Sequence, residues 1–163
     1  MGYLNPVYIY GYEAFARDAQ AAGVDGIILV DLPPEEANEI EPLLSKYGIS
    51  LVRLIAPTSV PGRLTQLVQG ASGYLYYISV TGITGAASAT QSDVAGAMKQ
   101  IKAATKLPVC VGFGIKTAED VKRFNAAEGV VEGSALVKKI EESKGDVKKI
   151  AAFVETLAKG CIR

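Results

Sequence analysis

The chain has 163 residues, 49% of them hydrophobic, a length that suits one domain with a sizeable core. Seventeen Lys and Arg balance seventeen Asp and Glu, so no basic stripe points to nucleic acid and no polybasic cluster to an anionic membrane. Histidine is absent, which excludes Ser-His and Cys-His nucleophilic machinery and the usual zinc sites; no metal centre is expected.

The chain opens on "MGYL", which reads as the end of a strand. "YEAFARDAQAAG" follows as an amphipathic helix, with Tyr12, Phe15, Ala19 and Ala22 on one face and Gly23 at the C-terminal cap. "GIILVDL" at 26–32 is a strand; Asp31 at its end is either a base or ligand, or a cap for the turn into "PPEE". "PPEEANEIEPLLSKYG" has the proline and acids of a helix start, with Pro42 placed to divide it and Lys46 and Gly48 at its end. Further strands are expected near 50–56, 73–80, 107–114 and 129–133. In "GYLYYISV", Tyr76 and Tyr77 must face opposite sides of the sheet. Helical patterns separate and follow these runs; Ser92 and Thr117 are the expected N-caps, and Asp120 completes a capping box with Thr117.

Most of the apolar runs are nearly continuous, the pattern of strands covered on both faces of a parallel sheet. Strand starts near 26, 51, 74, 107 and 129 give a spacing of about 26 residues, which predicts repeated βα units and an α/β class. A (β/α)8 barrel fits better than a doubly wound sheet. A complete barrel takes about 250 residues, so residues 1–163 are expected to form a single partial barrel domain of about five and a half units.

In such folds ligands gather at the C-terminal ends of the strands. Three of those loops are rich in glycine: "VTGITGAASATQ", "GFGIKT" and "EGS". Glycine brings backbone N–H groups close to a ligand, and a helix N-terminus favours an anion. Each loop alone could be an ordinary turn, and "VTGITGAASATQ" is either a lid or a surface loop. Together, on the last two strands, "GFG" and "EGS" point to phosphate. The spacing is not GxGxxG, which disfavours a Rossmann dinucleotide site.

The ordered phrases "MGYLNP", "AGVDGIILVDLPPEE", "LIAPTS", "YYISVTGITGA", "LPVCVGFGIKTAED" and "GVVEGSALV" resemble the tryptophan synthase α subunit family, from the end of the third barrel strand onward. The resemblance implies a lyase of tryptophan biosynthesis that cleaves indole-3-glycerol phosphate to indole and glyceraldehyde 3-phosphate. It implies no cofactor of the chain's own, pyridoxal phosphate belonging to a partner β subunit. It places Gly85, Gly114, Gly133 and Ser134 at the phosphate. Tyr3, Ile28, Val30, Tyr76, Thr84, Gly112 and Phe113 fall on the pocket and its loop, Thr84 being the mobile-loop threonine that positions a catalytic aspartate. Asn5 and Pro33 fall where the β subunit docks.

The family's acid–base glutamate and aspartate belong to a segment preceding Met1, so no catalytic residue is expected in this chain and negligible lyase activity from it alone. Open strand edges are expected to be covered by a complementary N-terminal fragment, by self-association, or by an ordered segment outside this sequence. Two other readings remain: a different phosphate-binding barrel, such as a sugar-phosphate epimerase, and a non-catalytic phosphate-binding module. Cys110 and Cys161 match no metal or redox spacing, no run approaches the roughly 18 apolar residues of a membrane span, and the N-terminus has no signal-peptide pattern. A cytoplasmic protein is expected.

Overall fold

The computed structural model describes residues 1–79, 91–112 and 114–161. Among the described residues there are six short strands, β1 (Gly26–Ile27), β2 (Ser50–Leu51), β3 (Arg53–Ile55), β4 (Leu75–Ile78), β5 (Val109–Gly112) and β6 (Gly129–Val131), with helices between all but β2 and β3, which Val52 alone separates. All pairs are parallel, in the order β1-β2 and β3-β4-β5-β6. The two sheets share one stretch of chain, since Val52 N–H donates to Ile27 O at 3.0 Å on one side while Arg53 is in register with Leu75 on the other. At the outer edge Gly2 bridges Leu29, exchanging bonds with Ile28 and Val30. Strands therefore neighbour one another in sequence order, as the wall of a barrel requires. Among the described residues no pairing returns from β6 to the Gly2 edge.

The opening "MGYL" is a strand only at Gly2. Helix α1 (Leu4–Tyr10) begins directly after it, and α2 (Tyr12–Ala21) follows through Gly11, whose φ of 90° permits the sharp reversal. The helix expected after "LPP" is divided as Pro42 suggests: a 3-10 turn over Pro34–Glu39 gives way at Ile40 to α3 (Glu41–Lys46), with proline in its first turn. Helices α4 (Val60–Val68), α5 (Gln91–Ala104), α6 (Ala118–Arg123), α7 (Ser134–Glu142) and α8 (Val147–Ala158) complete the outer layer. Thr117 and Asp120 form the expected capping box at α6. Ser92 does not open its helix, because α5 already runs from Gln91.

Two apolar clusters flank the wall. Ala16, Ile40, Leu44 and Ile27 join α1–α3 to β1, while Tyr77, Val94, Met98, Ile101 and Val111 join β3–β6 to α4–α6. Tyr77 points into this helix layer, so the alternation along β4 sends Tyr76 to the other face.

Arg53 is buried between the layers. Its Nη2 donates to Glu41 Oε2 at 2.8 Å, while Nε and Nη1 have no partner among the described residues. Burial pulls its pKa below the ordinary arginine value despite Glu41 beside it. Gly70 sits at φ 72° against the same carboxylate: a Cβ there would come within 2.2 Å of Glu41 Oε1. The absence of that atom is what lets α3 place its acid against the strand.

Candidate functional site

A cavity of about 450 Å³ opens at the C-terminal ends of the strands. Ile28, Tyr76, Gly114, Gly133 and Ser134 line it, contributed by the ends of β1 and β5, by β4, and by the β6–α7 junction. Five positions spread over 107 residues of sequence thus meet at one place, since 134 minus 28 spans that interval inclusively. Parallel βα units place all their strand ends on one side of the wall, which explains the convergence.

Each wall of the cavity has its own local reason. Tyr76 lies over Gly112 of the neighbouring strand so closely that a Cβ on Gly112 would stand 1.8 Å from the phenol oxygen. Gly112 therefore makes room for a ring. It stands directly beneath Tyr76, which lines the cavity. Its carbonyl accepts from Ser79 N at 3.1 Å and Ser79 Oγ at 2.8 Å, locking the ends of β4 and β5 together. Burial pushes the Tyr76 phenol above the usual tyrosine pKa, with Tyr74 and Cys110 adding to the effect. At neutral pH it carries its proton and can donate it in a hydrogen bond.

Gly114 adopts φ 76°, a left-handed conformation that a side chain resists. The loop beyond it is held from the helix side: Asp120 Oδ2 accepts from Lys116 N and Thr117 N, both at 3.0 Å. Burial works against the Asp120 charge, but these bonds outweigh it and the carboxyl pKa falls below the ordinary range. At the β6–α7 junction Gly133 is the N-cap residue, and nothing lies within 4 Å of where its Cβ would be. Ahead of it, Glu132 folds over the helix end, Oε1 accepting from Ala135 N at 2.5 Å and Oε2 from Leu136 N at 2.8 Å.

Other expected positions lie elsewhere. Tyr3 is exposed and precedes α1. Val30 and Pro33 border a second hollow of about 350 Å³ with Arg53 and Arg63. Asn5 is exposed on α1. Asp31 Oδ1 accepts from Leu4 N at 2.7 Å, so this acid caps α1 rather than the turn into "PPEE". Thr84, Gly85 and Phe113 fall outside the described residues. Lys116, Ile115 and Glu132 line the cavity without having been singled out from sequence, although "GFGIKT" and "VVEGS" contain them. A larger hollow of about 520 Å³ lies by α6 and the Lys159–Cys161 turn, beside Glu128 and Gly129 at the N-terminal end of β6, away from the glycine loops.

The sequence model described as tryptophan synthase alpha chain matches residues 1–161. The chain belongs to that family. It is 45% identical to the tryptophan synthase alpha chain of Citrifermentans bemidjiense, and equally to that of Geobacter sp. strain M21, across all of this chain and 62% of each relative. It therefore spans about three fifths of those curated relatives. Among solved structures, tryptophan synthase subunit alpha of Legionella pneumophila superposes with a TM-score of 0.84 at 38% identity, over 99% of this chain and 61% of that one. A tryptophan synthase chain of Mycobacterium tuberculosis gives 0.86 at 36%, over 98% and 60%. The open parallel wall is accordingly an incomplete tryptophan synthase alpha barrel.

Gly112→Ala is expected to lower stability by about 1–3 kcal/mol, the usual range for overpacking, because the methyl must displace the Tyr76 ring. Urea unfolding would measure it, and an unchanged midpoint would refute the packing role.

Proposed function

We propose that this chain forms the substrate-holding part of an α-type tryptophan synthase, whose whole barrel converts indole-3-glycerol phosphate to indole and glyceraldehyde 3-phosphate. The observation that carries the reading is the meeting of Ile28, Tyr76, Gly114, Gly133 and Ser134 around one cavity at the C-terminal strand ends. Gly114, Gly133 and Ser134, with Gly85, hold the phosphate through backbone N–H groups and the serine hydroxyl. Ile28 and Tyr76 supply the apolar side against which an indole ring packs, and Val30, Tyr3, Thr84, Gly112 and Phe113 belong to the same pocket-and-loop assignment by resemblance. No cofactor of the chain's own enters; pyridoxal phosphate belongs to the β subunit.

Retro-aldol cleavage needs one carboxylate to move protons at the indole C3 and another to engage the indole N–H. Among the described residues, Glu132 is the carboxylate lining the cavity, and both its oxygens are already taken by amides of α7. Asp31 is likewise engaged by the Leu4 amide. The 163-residue polypeptide by itself is therefore a binder and orienter of substrate. Family membership counts against an epimerase-type barrel, while a non-catalytic phosphate-binding module shares the same site.

The β subunit is the proposed partner, with Asn5 and Pro33 at the contact; a relative from Pyrococcus furiosus, 36% identical, is described as part of a tryptophan synthase a2b2 complex. Exposed Tyr8 and Ile9 on α1 and Val137 and Val147 on α7 and α8 leave apolar surface on the first and last helices, which a second copy would cover. A cytoplasmic setting is part of the proposal and rests on the free Cys110 and Cys161. Among the described residues, no helix is long and apolar enough to cross a membrane.

Three outcomes are expected. Calorimetric titration with glycerol phosphate should show saturable binding that Gly114→Val weakens, since the side chain strains φ 76° and blocks the amide; equal affinity would remove Gly114 from the site. Incubation of the isolated chain with indole-3-glycerol phosphate should release no indole above background, and turnover like that of a whole barrel would overturn the inactivity. Light scattering should give a mass above 17.1 kDa for the chain alone, whereas a monomer at every concentration would argue against self-association.

A further inference from the structure

The end of α7 that faces the cavity already holds an anion from the chain itself. We propose that the Glu132 carboxylate is a built-in competitor for the substrate phosphate, occupying the N-terminus of α7 in the empty site and swinging out when phosphate binds. This rests on the phosphate reading given above and adds a gate to it.

The hydrogen bonds define the competition. A helix start leaves its first N–H groups without intrahelical acceptors. In α7, Val137 N–H reaches the Gly133 carbonyl at 2.9 Å, and Glu132 takes Ala135 N–H at 2.5 Å and Leu136 N–H at 2.8 Å. Ser134 N–H is the first-turn donor that these bonds leave for an incoming ligand. A capping side chain ordinarily comes from the N-cap residue itself. Here that residue is Gly133, so the acid one position earlier reaches over it.

A phosphate seated at Gly133 and Ser134 would meet this carboxylate at close range. Two like charges in a partly enclosed site repel far more than in bulk water. The anions also want the same donors and the same positive helix end. Nothing lies within 4 Å of where a Cβ on Gly133 would stand, so no neighbouring segment crowds the cavity at that point. Lys116 lines the same cavity as a cation for whichever anion is displaced toward the mouth. The device sets affinity: phosphate binds only by the margin through which it outcompetes Glu132, and weakly held anions are rejected.

The test is calorimetric titration of glycerol phosphate into the wild-type chain, Glu132→Gln and Glu132→Ala, with ¹⁵N spectra of the wild type recorded in parallel. Loss of the charge should tighten binding roughly tenfold or more, between the bulk-water and near-surface strengths of one charge pair. In the wild type, the Ala135 and Leu136 amide resonances should move as phosphate saturates. Equal affinity in all three proteins, or static amides during wild-type binding, overturns the gate while leaving the phosphate site standing. Weaker binding in both variants also overturns it, by making Glu132 a support. Absence of binding in every protein, with wild-type spectra of a folded chain, overturns the phosphate reading and the gate with it. Gln keeps an oxygen for the Ala135 amide, so it and the wild-type spectra decide the matter if the Ala variant does not fold.

Discussion

The stretch from Ser50 to Ile55 is the seam of the molecule. Its first residues pair with β1 and its last with β4, so a single extended segment carries the hydrogen bonds that make two small sheets into one curved wall. Strands this short are weak in isolation. Their stability comes from being covered on the helix side by two apolar clusters, one on each side of the seam. Arg53 stands at the join, with its pairing to Glu41 made possible by the bare backbone of Gly70. An ion pair with unsatisfied guanidinium nitrogens adds little net stability over an apolar substitute. Removing one member would leave a charge without compensation, so the pair fixes how α3 seats against the wall.

Because the wall is parallel and consecutive, every strand ends on the same side, and the glycine loops come together there without being near in sequence. The cavity follows from topology, while its shape follows from individual contacts. Tyr76 fills the space above Gly112 and Ser79 ties the ends of β4 and β5, setting a firm floor. Gly114 turns the chain through a left-handed conformation, and Asp120 reaches back to hold that turn against α6. The same βα unit thereby supplies both a packing glycine and a cavity-lining glycine, two residues apart.

The difference between those two glycines was not legible in "GFG", since both are written with the same letter. One is required by a tyrosine 36 positions earlier, as 112 minus 76 gives, and the other by its own φ angle. Asp31 is a similar case. A carboxylate ending an apolar strand looks like chemistry or a local turn cap, yet its partner is the amide of Leu4, brought near by the Gly2 edge pairing. By contrast, the Thr117–Asp120 capping box and the division at Pro42 were readable in full, because they depend on residues within one turn of each other.

The sequence by itself determined the α/β class, the parallel repeat, most helix positions and the family, since these depend on apolar periodicity, local capping chemistry and an ordered set of phrases. Only the tertiary structure decided the contacts that shape the cavity. Ile28, Tyr76, Gly114 and Ser134 were brought together at the strand ends, Val30 was placed at a separate hollow, and Glu132 was turned onto the amides of α7. The reason is physical: hydrogen bonds and close contacts between distant segments are set by strand register and packing, which no local pattern of residues encodes.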